Sequence, residues 1–504
     1  MIAAKVIGRI IASDSCTMRN DRNLRRALAL ALFCTACSHR GGGISALGSG
    51  ASSSGAGNVR AKSGGAATSS GAASSSGGDA SSGGASSSGG ASGGTGSSAG
   101  ASHCLAAPLL AALGKDHFLV GFNRQAWSVE TTPFDIRYQY LANGLPDSGE
   151  PCTRCDASCR VGGRSGVWWG CYNAPPGAYV QALIALAGAQ IPMITYYQLY
   201  QTALLKRVAT HPTYDPAYAE FSEGADEIDI AVRDVRLMSG YYNDWRFMLQ
   251  QIGNSVVMVH LEPDLWGFAE RASLDPTALP AAVATANPRD CAAQPNTFAG
   301  MGKCLIAMAR TYAPRALVSL HASAWASGPD VLANADPSLD VAAEAAKTVS
   351  FLRACGAGDS DFVAADLADA DTGYFIYYDN NHAFSWDPSN ATLPNFHQAW
   401  AFSNAVASGL GKPLLWWQVP LGNAGLTQNV SSACQGDRYS DGSAVFRDNR
   451  VDYFFAHLPE VIASGAVGVA FGQGFPCDTT IANDGGNLRA KVNAYAQAQA
   501  AVCR

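Results

Sequence analysis

The sequence predicts an α/β fold: a (β/α)8 TIM barrel carrying a disulfide-stapled loop insertion and preceded by a disordered linker. Three observations predict it. Short apolar runs bounded by loops recur eight times after residue 117, helical patterns separate most of them, and acidic, amide and aromatic residues gather just past their C-terminal ends. Alternation of strand and helix argues for a parallel sheet, and eight repeats argue for its closure into a barrel. An open, doubly wound sheet is the alternative.

The N-terminal hundred residues stand apart from that pattern. Arg19, Arg22, Arg25 and Arg26 flank a short apolar stretch from Ala27 to Cys34, followed by Thr35-Ala36-Cys37. A basic flank, a short apolar core and small residues describe a secretory signal over residues 1–37, with Met18 a candidate start. Small residues before Cys37 also resemble a bacterial lipobox, although Cys34 stands where leucine is usual. An acylated Cys37 would anchor the chain to the outer membrane, giving a cell-surface lipoprotein; a plain cleaved signal would release it. Residues 38–103 are nearly all Gly, Ser and Ala, too poor in apolar surface to order themselves. Roughly 60 such residues reach about 40–45 Å, a flexible tether for the module at 104–504.

Composition narrows the partners. Net charge is −6, charged residues make up 15%, and the module has no Lys/Arg cluster, which argues against nucleic acid. Of 14 cysteines, 11 fall in the module, as suits an exported chain. Cys152, Cys155, Cys159 and Cys171 crowd one loop, where two disulfides are expected in preference to zinc. Cys291 with Cys304, and Cys434 with Cys477, are further candidate bridges, and the odd number leaves a thiol over. No cofactor is called for, and a monomer is expected.

The predicted strands are Phe118–Phe122, Phe134–Tyr140, Ile191–Tyr197, Val256–Leu261, Ala316–His321, Phe362–Leu367, Leu414–Val419 and Ala466–Phe471. Helical periods cover Ala178–Ala187, Phe298–Tyr312, Val341–Ala354, Phe396–Ser408, Val451–Ser464 and Asn487–Ala498. Only about a dozen residues part the first two strands, so a helix there must be short or missing.

In such barrels chemistry sits at the C-terminal strand ends. Those ends carry Asn123 and Arg124; Gln139 and Tyr140; Tyr197 and Gln198; Glu262, Asp264 and Trp266; His321, Ser323 and Trp325; Asp366, Asp369 and Asp371; Trp417 and Gln418; and Gln473. Rings stack on the apolar faces of pyranoses while amides and acids bond hydroxyls, so this is an inventory for a sugar. A single Asp at such a place is more often a turn former, His321 more often a satisfied partner, and Trp266 or Trp325 equally a core filler. Trp416 and Trp417 cannot both face inward, since strand neighbours alternate.

Glu262-Pro263-Asp264-Leu265-Trp266-Gly267, Asp369 and Asp371 before Gly373, Trp417-Gln418-Val419-Pro420-Leu421-Gly422-Asn423 and Asp448-Asn449-Arg450 together resemble a family of exported bacterial barrel proteins with glycoside-hydrolase-like architecture, over most of 117–490. Glu262-Pro263-Asp264 also resembles, over three residues only, the glycoside hydrolase family 6 cellulases, which implies a β-glucan such as cellulose. That family's aspartic donor motif is absent here. The strand-seven nucleophile of the large retaining clan is absent too, because Gln418 stands there.

Cleavage of a glycoside needs a carboxylic acid for the leaving oxygen and a second carboxylate for water or the anomeric carbon. The expected donor is Glu262, with Asp369 or Asp371 as its partner and Asp366 or Asp264 tuning it. Gln139, Tyr140, Tyr197, Gln198, Trp266, His321, Trp325, Asp366, Trp417, Gln418 and Gln473 are the expected sugar contacts. The stapled segment, with Trp168 and Trp169, is expected to wall the cleft. Two rivals stand beside this reading: a metal-dependent hydrolase using the same acids, and a surface lipoprotein that binds glycan without cleaving it.

Overall fold

The computed structural model describes residues 104–123, 130–203, 231–429, 445–472 and 478–503. The signal, the linker, Arg124, Gln473 and the pairing of Cys434 with Cys477 lie outside them. Eight parallel strands close into a barrel: β1 (Leu119–Asn123), β2 (Ile136–Leu141), β3 (Ile191–Tyr196), β4 (Met258–Leu261), β5 (Leu317–His321), β6 (Phe362–Asp366), β7 (Leu414–Val419) and β8 (Ala466–Phe471). Each pairs with the next, and β8 returns to β1 through Leu119↔Gly468 and Phe122↔Phe471. Strands covered on both faces read as continuous apolar runs, which is why all eight were visible in the sequence.

Inside the barrel Leu119, Ile136, Ile191, Met193, Met258, Leu317, Phe362 and Leu415 form one packed cluster. Helix α1 (Ala107–Leu113) adds Leu109 and Leu110 to that cluster and plugs the N-terminal end. The disulfide Cys104–Cys503 ties the plug to the end of the chain, across a sequence separation of 399. A layer above come Tyr138, Ala364, Trp417 and Ala470. Gly472 makes room for that layer, because a Cβ there would sit 1.6 Å from the Tyr138 hydroxyl.

Around the sheet run α2 (Ala178–Leu186), α3 (Val235–Ile252), α4 (Pro263–Ala272), α5 (Phe298–Tyr312), α6 (Val341–Ala354), α7 (Thr372–Asp379), α8 (Phe396–Leu410), α9 (Arg450–Ala456), α10 (Leu458–Ala463) and α11 (Asn487–Tyr495). Among the described residues no helix lies between β1 and β2. The period over Val451–Ser464 proves to be two helices broken at His457. Pro459 has no N–H to continue the ladder and crowds the carbonyl four residues back, which explains the break. Four helices went unpredicted: α1, α3, α4 and α7. In α3, capped by Asp234 accepting from Arg236 and Leu237 N–H, tyrosines and tryptophan blur the apolar period. Helix α4 starts on Pro263, inside the motif read as a strand end, and α7 is aromatic all round.

The stapled loop holds Cys152–Cys159 and Cys155–Cys171, Cys291 bonds Cys304, and Cys355 is the buried free thiol among the described residues. The loop's tryptophans do not wall a cleft. Trp168 and Trp169 are fully buried and donate their indole N–H groups to Asp244 of α3, at 2.6 and 2.9 Å, where the Tyr196 hydroxyl also donates at 2.7 Å. Three donors on one buried carboxylate anchor the loop to the barrel wall.

Candidate active site at the barrel mouth

The described pocket opens at the C-terminal ends of β5 and β6. Its walls are Trp325, Leu332, Leu367, Ala368 and Phe384, with Ala324 beside them and the carboxylates Asp330, Asp366 and Asp369 among them. Asp366 closes β6 and, by alternation with Phe362 and Ala364, belongs to the inner face. Asp369 follows it in the β6–α7 loop, and Asp330 stands in the β5–α6 loop, where its Oδ1 accepts the Leu332 N–H at 3.0 Å. Trp325 is seated by Gly267 of α4, since a Cβ there would lie 2.7 Å from the indole ring. Arg271 of α4 donates to the Trp325 carbonyl at 2.9 Å.

Asp264 lies in the first turn of α4, where a carboxylate favours the helix N-terminus, and it accepts from the Tyr197 hydroxyl. Across the mouth the Tyr140 hydroxyl donates to Gln418 Oε1. Gln418 gets there because β7 shifts register against β8 at this level and its own φ is +56°. Trp417 faces the interior, 5.6 Å from Tyr140 between ring centroids, while Trp416 packs outward on Trp400 at 5.7 Å. His321, at the end of β5, places Nε2 2.9 Å from Asp366 Oδ1.

Electrostatics separate the acids. Burial, then the nearby charges of Asp366, Asp264, Asp478 and Asp330, push the Asp369 carboxyl well above the ordinary range. Burial, with Asp366 adding to it, raises Asp330 to about 6. The ionised form of Asp369 is therefore disfavoured, set among carboxylates that cannot all ionise together.

Five of the expected site residues are placed elsewhere. Glu262 is fully buried with φ +43°, and this left-handed turn aims its side chain back at β3. There Oε1 accepts the Gln198 and Leu199 N–H groups at 2.9 and 2.8 Å, so the residue braces a loop instead of facing the mouth. Asp371 is also fully buried, Oδ1 accepting from Gly422 N–H at 2.7 Å and Oδ2 from Thr479 N–H at 2.8 Å. It joins the loops after β6, β7 and β8. Trp266 is a core residue that donates to the Leu261 carbonyl at 2.9 Å and packs on Phe298. Gln198 is buried with its Nε2 on the Ala142 carbonyl, and Gln139 is occupied by the Tyr179 hydroxyl at 2.6 Å and by Asn123. Thus Tyr140, Tyr197, Asp264, His321, Trp325, Asp366, Asp369, Trp417 and Gln418 remain at the mouth. Sequence reasoning missed Asp330, whose signal was a Gly-Pro-Asp turn shortly after Trp325, and His260, the lone polar residue inside an apolar run.

The buried Glu262 has a measurable consequence. Burial raises its carboxyl to about 7, offset in part by the N–H groups of Leu199 and Gln198. The folded state therefore keeps a proton that the unfolded chain releases near pH 4, and stability falls as pH rises from about 4 to about 7. Glu262→Gln removes that titration. It is expected to leave stability unchanged near pH 4.5 and to raise it by up to about 3 kcal/mol at pH 8. Denaturant unfolding at both values checks this, and an equal loss at both would refute it.

No family model matches the chain, and neither does any curated protein. Among solved structures it is similar to the glycoside hydrolase family 5 mannosidase from Rhizomucor miehei, with 10% identity and a TM-score of 0.35 over 70% of this chain and 81% of that one. A mutant of that mannosidase gives 9% and 0.36 over the same shares. The endoglucanase Cel6 from Mycobacterium tuberculosis gives 12% and 0.28, over 67% of this chain and 82% of its own. Likeness at that level leaves the chemistry to be argued from the chain's own residues.

Proposed function

We propose that the chain is a glycoside hydrolase that cleaves a polysaccharide at the barrel mouth with two carboxylates. The observation that carries the reading is that Asp369 and Asp366 share a pocket walled by Trp325 and Phe384, where burial and neighbouring charges hold the Asp369 carboxyl well above the ordinary range. Asp369 is the proton donor to the leaving oxygen, in the role the sequence suggested for Glu262. Asp366 activates water, and Asp264, held by Tyr197, adds its charge to those acting on Asp369. Trp325 lines the pocket, while Tyr140 and Gln418 hydrogen-bond to each other across the mouth. A β-glucan such as cellulose is the substrate class to try first. We further propose that the chain is exported and held at the cell surface through an acylated Cys37, with the Gly/Ser/Ala tether spacing the barrel from the membrane.

The metal-dependent alternative has weak support from the donor set. Among the described residues no three His, Cys, Asp or Glu side chains converge closely enough to hold an ion. The deciding experiment incubates the disulfide-intact protein with a panel of polysaccharides and measures new reducing ends, with and without EDTA. Release that survives EDTA is the expected result. Release abolished by EDTA would move the reading to metal chemistry, and retention on one insoluble glycan without release would make the chain a binding protein.

A further inference from the structure

The polar groups of the mouth continue inward past Asp366. His321 Nε2 is 2.9 Å from Asp366 Oδ1, and His260 Nε2 is 3.1 Å from His321 Nδ1. A carboxylate acting as base accepts, and in that arrangement His321 donates through Nε2. A neutral imidazole then has a bare Nδ1, which accepts from His260 Nε2–H. Every donor in the chain therefore points toward Asp366. The two rings stack with centroids 5.1 Å apart, and Trp417 of β7 meets His260 edge-on at 4.7 Å. His260 is fully buried and His321 is 2% exposed, so bulk water does not compete for these bonds.

The inner end of the chain is also polar. Thr195, His260 and Ser319 are register partners on β3, β4 and β5. Thr195 Oγ1, His260 Nδ1 and Ser319 Oγ are buried without a protein partner among the described residues. Burying two imidazoles and two hydroxyls within an apolar barrel costs free energy that one anchored histidine would not.

We propose that Asp366, His321 and His260 form a positioning relay, in which the histidines hold the carboxylate that activates the attacking water. The idea rests on the glycosidase reading for its chemistry. With Oδ1 fixed by His321, Asp366 Oδ2 takes a proton from water as the water oxygen bonds to the anomeric carbon. The glycosidic C–O bond breaks, and the departing oxygen takes the proton of Asp369. The ionisable groups around Asp366 are His321 from β5, Asp369 from its own loop and Asp330 from the β5–α6 loop. His260 faces only His321 among them, with Trp417 as its aromatic neighbour. Burial and the adjacent His321 hold His260 well below the usual histidine range, in keeping with a neutral donor.

The test has two arms on the full chain. With nine histidines in the sequence, histidine-selective ¹⁵N labelling is tractable. The expected spectrum has His321 protonated on Nε2 and bare on Nδ1, with a hydrogen-bond coupling from Nδ1 to His260 Nε2. That coupling disappears in His260→Phe. On a glycan substrate His260→Phe is expected to lose about 10- to 100-fold in kcat at unchanged KM, part of what a positioned base supplies. His260→Gln, which retains a donor, recovers part of that loss. A His321 proton found on Nδ1, or unchanged kcat in His260→Phe, overturns the relay and leaves the glycosidase standing. A wild type that turns over no glycan removes the glycosidase reading and the relay's catalytic role with it, whatever the tautomers show.

Discussion

Asp369→Asn is expected to lower kcat on an unactivated polysaccharide by about 10²–10⁴-fold, the usual worth of a positioned acid. On an aryl glycoside whose leaving group departs as a stable phenolate, the same variant should run near the wild-type rate. The contrast follows from what the residue supplies. An alkoxide leaving group needs a proton in the transition state, whereas an acidic phenol does not. Asp369 is suited to supply that proton because burial and the charges of Asp366, Asp264, Asp478 and Asp330 disfavour its ionised form. The sign of the pH dependence follows. Activity requires the protonated form, so the wild type loses rate as pH rises through the raised Asp369 value, and this alkaline limb disappears in Asp369→Asn. Asparagine preserves the shape and the neutral charge, so folding should survive. Equal losses on both substrates would reassign Asp369 to binding, and undiminished turnover of the natural glycan would remove it from the mechanism.

The sequence made the scaffold legible because a barrel strand buried on both faces leaves an apolar run that little else produces. Val256–Leu261 and Ala466–Phe471 could hardly have been anything else. Site residues were harder, because the direction of a strand-end side chain depends on the backbone there. Glu262 and Gln418 illustrate this from opposite sides. Each takes a positive φ at the end of its strand; one is turned into the wall between β3 and β4, while the other swings across the mouth to Tyr140. Neither turn could be read from residue type, since neither residue is glycine. Asp369 and Asp371 are two positions apart and look equivalent in sequence. Only the closing of the Gly422 and Thr479 loops around Asp371 separates a brace from an acid. The bond between Cys104 and Cys503 was equally hidden, because the proximity of two residues 399 positions apart is a product of barrel closure.

Arg450→Met is expected to destabilise the fold by about 3–5 kcal/mol, the range for stripping one partner from a buried ion pair. Arg450 and Asp448 both have fully buried side chains and are ion-paired. The guanidinium also donates to Thr372 Oγ1 at 3.0 Å and to the Phe384 carbonyl at 3.1 Å, and it lies 4.8 Å over the Trp386 ring. Asp448 meanwhile accepts the Thr372 N–H at 2.8 Å, at the first residue of α7. The charge balance makes the arginine more than a packing residue. Burial first, and then the charge of Asp448, raise the neighbouring Asp371 carboxyl to about 7, so two acids share one interior with one cation. Without Arg450 the Asp448 charge is stranded, and every bond from the guanidinium to the loop bearing Phe384 is lost. Because Phe384 forms a wall of the pocket, the variant should lose turnover along with stability. Pairing the change with Asp448→Asn should recover part of the unfolding free energy, since no anion is then left buried. A double-mutant cycle by denaturant unfolding measures the coupling, and strictly additive losses would mean that the two side chains contribute by packing alone.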